Sequence, residues 1–240
     1  MSRAFATPID IGRGRPLVVL PGFALSPGVY RATASLLARQ CHVIVTDLYR
    51  ESGRWNFADA VDELAGTLDR AGLDRVTIMG HSFSGGIELG FAARHPERVV
   101  ELVFVDTLAM SRGWPLAEEA LRHPVRWLWM ATPRAAVAFG STVLRHPRRI
   151  TEAAWWGYTS GRSADADVVA SHHLPAHVLW ANRDSLLSRD DGAAFAREVG
   201  ASFTIAARDG GGPVDHDWMY RHPQLFVEHV QRLGLDALAC

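Results

Sequence analysis

Short apolar runs alternate with helical patterns through most of this chain. The runs are rich in β-branched residues and bounded by turn-formers, so they predict buried strands at 17–20, 42–46, 75–79, 99–105, 177–180 and 202–205. Helical patterns lie between the strands at 27–39, from an N-cap at Asn56, and at 83–95, 190–199 and 217–233. Strands separated by helices favour parallel pairing through right-handed crossovers. The predicted fold class is therefore α/β, with a mostly parallel twisted sheet flanked by helices.

The composition narrows the function classes. The 25 basic residues balance the 26 acidic ones, so neither a nucleic acid nor a membrane is predicted as a partner. The chain contains no lysine, which excludes Schiff-base chemistry and a P-loop lysine. Cys41 and Cys240 lack metal-ligand spacing, so no metal or cofactor is predicted. Without a signal-like start or an apolar run of about 18 residues, the chain is expected to be a soluble cytoplasmic protein.

The Gly-His-Ser tripeptide at 80–82 lies where a predicted strand turns into the helix predicted at 83–95. A serine on such a turn projects its hydroxyl out of the sheet, in backbone angles that need small neighbours. Small residues stand two positions before and two positions after Ser82. The same pattern would also fit Ser84 as the exposed serine, but the strand would already have broken two residues earlier. We favour Ser82.

This turn resembles the nucleophile elbow of the α/β-hydrolase family, and the resemblance extends over about residues 17–233. It implies the α/β-hydrolase fold and a serine nucleophile, followed along the chain by an acid and a histidine on loops after strands. The chain departs from the family pattern in three places. Ser84 replaces the usual elbow glycine, Pro21 replaces a histidine, and Asp215 stands where glycine is common. None of these departures removes a required group.

Strand-end loops supply the candidates for the acid and the base. Asp184 is the best acid, because the loop at 181–187 follows a predicted strand and resembles the acid loop of the family. Asp106 and Asp47 also end strands and compete with it. His216 is the best base, since it follows the last predicted strand through a glycine-rich loop that can bring a side chain back over the sheet.

The resemblance also implies two backbone donors for the oxyanion that forms during acyl transfer. One is the N–H of Phe83, directly after the nucleophile and at the positive end of its helix. The other is the N–H of Phe23 in the loop after the first strong strand, with Ala24 as an alternative if the turn differs.

Residues 111–173 break the alternation, because they have helical periodicity but no convincing strand. We expect them to form an inserted helical cap, with 1–110 and 174–240 as the core domain. The segment holds five of the eight tryptophans, whose rings either line a pocket or join the insertion to the core. The substrate-binding candidates are Trp127, Trp129, Trp155 and Trp156.

The leading functional hypothesis is a cofactor-free serine hydrolase of a small to medium apolar or aryl carboxylic ester, with Ser82, Asp184 and His216 as catalytic residues. A serine at the elbow argues against the family branches that use an aspartate nucleophile. C–C bond, thioester or lactone hydrolysis on the same residues is the alternative, and so is a lyase, an acyltransferase or a non-catalytic ligand-binding homologue. The sequence leaves the natural substrate and the oligomeric state open.

Overall fold

The sheet contains seven strands in the order β1-β3-β2-β4-β5-β6-β7 within the computed structural model, which describes residues 7–50, 53–108, 132–159 and 163–238. The strands are β1 (Ile9–Gly12), β2 (Pro16–Leu20), β3 (His42–Val45), β4 (Val76–His81), β5 (Val99–Val105), β6 (Ala176–Ala181) and β7 (Ser202–Ala206). β1 pairs antiparallel with β3, and the other pairs are parallel. The predicted fold class is confirmed.

Helices connect the strands and cover both faces of the sheet. The α-helices of the described residues are α1 (Arg31–Leu37), α2 (Phe57–Arg70), α3 (Gly85–Arg94), α4 (Pro133–Arg145), α5 (Pro147–Thr159), α6 (Ser163–His172), α7 (Arg189–Glu198), α8 (Trp218–Arg221) and α9 (Pro223–Arg232). The predicted N-cap at Asn56 is confirmed, because its side chain accepts the N–H of Asp59. None of these helices combines the length and apolar character needed to cross a bilayer.

Two of the predicted helices are divided in the structure. The helical pattern at 27–39 is a 3₁₀ turn at Pro27–Tyr30 followed by α1. The predicted final helix at 217–233 is interrupted at His222, the residue before Pro223, and becomes α8 and α9. Proline disfavours helical angles at the residue before it, which explains the interruption.

Alternating side chains of the sheet feed two separate apolar layers. Along β2, Val18 and Leu20 pack into the layer shared with α2, α3 and α7, whereas Leu17 and Val19 pack into the layer shared with α1 and α9. Burying one such side chain contributes about 1.5–3 kcal/mol. Both layers fix the sheet firmly, so the loops at the carboxyl ends of the parallel strands start from rigid positions, where ligand sites of open α/β sheets lie.

The described part of the predicted cap is helical and consists of α4, α5 and α6. Polar contacts of Arg149 and Glu152 join α5 to the rest of the molecule. The Arg149 guanidinium, 4% exposed, donates to both carboxylate oxygens of Glu63 on α2 at 2.8 Å. Glu152 accepts the Trp55 N–H at 2.7 Å. The division of the chain into core and cap stays a prediction.

Candidate active site

Ser82 occupies a strained turn between β4 and α3. Its φ of 56° lies in the left-handed region, and a single 3₁₀ turn at Ser82–Ser84 leads into α3. The close approach of the loop that follows β5 requires a glycine at position 85, since a Cβ there would overlap the Thr107 hydroxyl. Leu108 N–H donates to the Ser82 carbonyl at 3.0 Å, which ties the turn to the end of β5. The Ser82 hydroxyl is therefore held at the carboxyl edge of the sheet.

Three of the predicted site residues are joined by hydrogen bonds. The Ser82 hydroxyl donates to His216 Nε2 at 2.8 Å, and His216 Nδ1–H donates to Asp184 Oδ2 at 2.8 Å. The other oxygen of Asp184 accepts the N–H groups of Leu186 and Leu187 at 2.8 and 2.9 Å. This arrangement fixes the tautomer of the His216 ring, with the proton on Nδ1 and a lone pair on Nε2 facing the serine.

The electrostatic surroundings of Asp184 and His216 favour the charged form of both side chains. Burial alone would raise the pKa of Asp184, but the neighbouring His216 and the two loop N–H groups hold it below its ordinary value. Burial alone would lower the pKa of His216, yet the Asp184 carboxylate, followed by Asp106 and Asp215, raises it to about 9. The imidazolium that forms when His216 takes up a proton is thus strongly stabilised.

Asp106, the competing acid, is fully buried at the end of β5 and has different partners. One oxygen accepts the Ala181 N–H and the other accepts the Trp218 Nε1–H, both at 2.7 Å. Burial raises the pKa of Asp106 well above its usual range, and the Asp184 charge adds to this. Asp106 makes no hydrogen bond to the His216 ring among the described residues, whereas Asp184 does. Asp47, the third candidate, instead accepts the Tyr49 N–H.

His81, Asp106 and His216 are the grouping that comes nearest to a metal-ligand set within the described ranges, with ligand atoms within 4.8 Å of one another. Both ring nitrogens of each histidine and both oxygens of the aspartate already have hydrogen-bond partners. A metal ion would have to displace several of these bonds. The donor set therefore fits a hydrogen-bonded cluster better than a metal centre.

The loop after β2 leaves one amide available near the turn. Gly22 N–H donates to the Tyr30 hydroxyl at 2.9 Å, and Ala24 N–H donates to the Tyr49 hydroxyl at 3.1 Å. The Phe23 N–H between them has no hydrogen-bond partner among the described residues, and neither has the N–H of Phe83. Phe23 and Phe83 are thus free to donate to a bound oxyanion, while the N–H of the alternative, Ala24, is occupied.

Two departures from the family pattern have structural roles. The Ser84 hydroxyl is completely buried and lies 2.7 Å from the Leu20 carbonyl and 2.9 Å from the His81 carbonyl, so it joins the end of β2 to the serine turn. Asp215 Oδ1 accepts the N–H groups of both Ser185 and His216 at 2.8 Å. The extra carboxylate therefore holds the acid loop and the histidine loop together.

Three aromatic rings pack around Phe83. The ring centroids of Phe23, Trp55 and Phe57 lie 5.3, 5.4 and 5.4 Å from that of Phe83. α5 closes this cluster at Gly157, where a Cβ would come within 2.8 Å of the Phe83 ring. The packing next to Ser82 is therefore apolar and largely aromatic, and of these four rings Phe23 is the one that is only partly buried.

The predicted substrate-binding tryptophans fall into two groups. Trp127 and Trp129 lie outside the described residues. Trp155 and Trp156 are on α5, and 63% and 41% of their surfaces are exposed. A role in substrate binding stays a prediction for all four.

Sequence analysis missed the polar residues that support the site. Tyr30, Tyr49 and His81 bond to backbone groups of the loops, and no local pattern distinguishes them from ordinary core residues. His81 belongs to the Gly-His-Ser tripeptide, but the sequence does not show which groups its side chain contacts. A buried side chain of this kind is recognised only from its partners.

The comparisons with known proteins agree with this fold. A family model described as "alpha/beta hydrolase fold" matches residues 15–146, which is more than half of the chain. The chain belongs to the α/β-hydrolase fold family. The thermophilic esterase of Thermogutta terrifontis has a similar structure, with a TM-score of 0.74 over 97% of this chain and 94% of that one, at 19% sequence identity.

Two curated relatives differ in their activity. A protein of Mycobacterium phage D29, provisionally named a non-heme haloperoxidase, is 34% identical over 94% of this chain and 90% of its own length. The 2-hydroxy-6-oxo-2,4-heptadienoate hydrolase of Pseudomonas putida is 36% identical over 42% of this chain. The chain spans only about two fifths of the length of that relative, since the match covers 41% of it. The relatives therefore include hydrolases, and their names do not point to one kind of cleaved bond.

Proposed function

We propose that this protein is a serine hydrolase that cleaves a carboxylic ester of a small to medium apolar or aryl substrate through an acyl-enzyme at Ser82. The observation that carries the proposal is the continuous hydrogen-bond chain from Ser82 through His216 to Asp184. A serine hydroxyl is a weak nucleophile at neutral pH, and a histidine oriented by a carboxylate is the arrangement that activates it.

The first half-reaction forms the acyl-enzyme. Ser82 Oγ attacks the ester carbonyl while its proton passes to His216 Nε2, and the carbonyl oxygen becomes an oxyanion. The N–H groups of Phe23 and Phe83 donate to that oxygen, each contributing about 3 kcal/mol in the transition state. Collapse of the tetrahedral intermediate breaks the bond to the alcohol, which leaves with the proton from His216.

The second half-reaction restores the free enzyme. His216 removes a proton from water, and the resulting hydroxide attacks the acyl carbon bound to Ser82. Collapse of the second tetrahedral intermediate breaks the bond between the acyl carbon and Ser82 Oγ, which takes the proton back from His216, and the carboxylic acid is released. Asp184 holds the His216 ring in the same tautomer through both halves and stabilises its positive charge.

The aromatic surface beside Ser82 supports an uncharged apolar acyl group. Phe23, the partly buried ring of this cluster, carries no charge and packs on the buried rings of Phe83 and Trp55. Burying an apolar group against it contributes about 25 cal/mol per Å². A C–C bond hydrolase using the same residues is the second candidate, because the relative from Pseudomonas putida is named for hydrolysis of 2-hydroxy-6-oxo-2,4-heptadienoate.

A comparison of substrates tests the proposal. We expect kcat/KM for p-nitrophenyl esters to vary with acyl chain length and to exceed that for 2-hydroxy-6-oxo-2,4-heptadienoate by at least about 100-fold. The acyl-enzyme should appear as a burst of p-nitrophenol equal to the enzyme concentration. The reverse preference would assign the C–C bond instead, and absence of both activities would overturn hydrolysis at this site.

The raised pKa of His216 predicts the pH dependence. Only the neutral ring can accept the Ser82 proton, so activity falls as pH falls through the pKa of His216 in the folded enzyme. Because this pKa is raised from 6.5 to about 9, the acidic limb of kcat/KM should lie above 6.5. The measurement is kcat/KM for an uncharged ester from about pH 5 to about pH 10, corrected for spontaneous hydrolysis. Constant activity down to about pH 6 would contradict the prediction.

A further inference from the structure

His81, the residue before Ser82, connects three loops of the site through its imidazole ring. The ring is almost completely buried, with 1% of the residue exposed. Its Nε2 lies 3.0 Å from the backbone carbonyl of His216, and its Nδ1 lies 2.8 Å from the Tyr30 hydroxyl. The same hydroxyl lies 2.9 Å from the Gly22 N–H.

The chemistry of these groups allows one arrangement of protons. The His216 carbonyl only accepts, so His81 Nε2 carries a hydrogen. Burial, together with the nearby His216, lowers the pKa of His81 to about 3, so the ring is neutral and Nδ1 has a lone pair. Tyr30 must then donate its hydroxyl hydrogen to Nδ1 and accept the Gly22 N–H. Burial raises the pKa of Tyr30 well above its usual range, which keeps that hydrogen in place.

Packing reinforces this hydrogen-bond chain. Gly22 lies directly against the imidazole, since a Cβ at this position would come within 2.9 Å of His81 Nδ1. The Tyr220 ring covers the other side, with its centroid 5.6 Å from Tyr30 and 6.1 Å from His81. The three side chains thus have little room to move apart.

The two ends of this hydrogen-bond chain adjoin two groups that act in the proposed acyl transfer, the Phe23 amide and the His216 ring. Gly22 immediately precedes Phe23, whose N–H faces the oxyanion under the proposed function. His216 supplies both the carbonyl that His81 binds and the ring that takes the Ser82 proton. We propose that Tyr30 and His81 are positioning residues that hold the Phe23 amide and the His216 ring at a fixed separation around the reacting carbonyl.

The test combines single and double variants, with Tyr49→Phe as the matched control. Tyr30→Phe and Tyr49→Phe each remove a hydroxyl that accepts an N–H next to Phe23. Of these two hydroxyls, the one on Tyr30 bonds His81. His81→Gln keeps an amide donor for the His216 carbonyl. The readouts are kcat and KM for a p-nitrophenyl ester, with a thermal melt for each variant.

We expect Tyr30→Phe to lower kcat about 10- to 100-fold with KM nearly unchanged, because the lost interaction acts in the transition state. The double variant of Tyr30→Phe and His81→Gln should lose less of kcat than the product of the two single fold-losses. The double variant of Tyr49→Phe and His81→Gln should lose the full product. If Tyr30→Phe does not fold, a comparison of His81→Gln with His81→Leu replaces it. The glutamine variant should then retain more of kcat than the leucine variant.

The inference rests on the proposed function, and the outcomes separate the two. A wild-type protein without ester hydrolysis would overturn both. If the wild type is active, two results would overturn the positioning role alone. One is that Tyr30→Phe leaves kcat unchanged, and the other is that the fold-losses of Tyr30→Phe and His81→Gln multiply, as those of Tyr49→Phe and His81→Gln are expected to do. With the fallback pair, equal kcat in His81→Gln and His81→Leu would also overturn it.

Discussion

Ser82→Ala is expected to lower kcat for a p-nitrophenyl ester by about 10⁶-fold, because it removes the atom that would form the acyl-enzyme. A fluorophosphonate probe should label the wild type and leave the variant unlabelled. The substitution deletes one hydrogen bond, to His216 Nε2, so the free energy of unfolding should change by only about 1 kcal/mol. Measured kcat, probe labelling and a thermal melt check the three parts of this result.

Ser84→Ala is the matched control for this experiment. It removes a neighbouring hydroxyl that donates to the Leu20 or the His81 carbonyl and is completely buried. We expect it to retain labelling and most of kcat, with a modest loss of stability of about 1 kcal/mol. Labelling that persists in Ser82→Ala and disappears in Ser84→Ala would move the nucleophile to the other serine of the turn.

Asp184→Asn is expected to lower kcat by about 10⁴-fold while the protein stays folded. An asparagine amide can donate to His216 Nδ1, and the proton would then move to Nε2, where it prevents the ring from accepting the Ser82 proton. The loop itself should survive, since an amide oxygen can still accept the N–H groups of Leu186 and Leu187. Steady-state kinetics at the pH optimum, with circular dichroism of the folded state, provide the measurement.

Asp106→Asn separates the two carboxyl groups that compete for the role of the acid. Both oxygens of Asp106 accept N–H donors, so an amide NH₂ would face a donor, and we expect a loss of about 1–3 kcal/mol in stability. The loss of kcat should be far smaller than for Asp184→Asn. The opposite result would be a folded Asp106→Asn protein that loses kcat by about 10⁴-fold and an Asp184→Asn protein that stays active. That result would assign the acid to Asp106.

The central parallel strands, β2 to β6, could be predicted because most of their residues are buried on both faces of the sheet. β5, for example, is the apolar run Val99–Val105, and its predicted bounds equal the observed ones. β1 was missed for the opposite reason. It is a four-residue edge strand in which only Ile9 is buried, and it contains an aspartate and a glycine. So short a segment has too little alternation to distinguish it from a loop.

Ser82, Asp184 and His216 could be proposed as site residues because each follows a recognisable strand in the order that the resemblance to the α/β-hydrolase family implies. Their supporting contacts could not. Tyr30 and His81 are 51 residues apart, and His81 and His216 are 135 apart. Such pairs depend on how the loops cross at the edge of the sheet, and one sequence carries no local signal for that. Ser84 is the same case, because its partner Leu20 is 64 residues away.

The ion pair between Arg149 and Glu63 has a consequence for how substrates reach the serine. The guanidinium side chain is buried and donates to both oxygens of the carboxylate, so withdrawing α5 would break two charge-assisted hydrogen bonds. We therefore expect the helix that places Gly157 against Phe83 to form a fixed wall beside that ring. An acyl chain that is too long for the space along this wall gains no room from movement of α5, so its length is limited by side-chain volume.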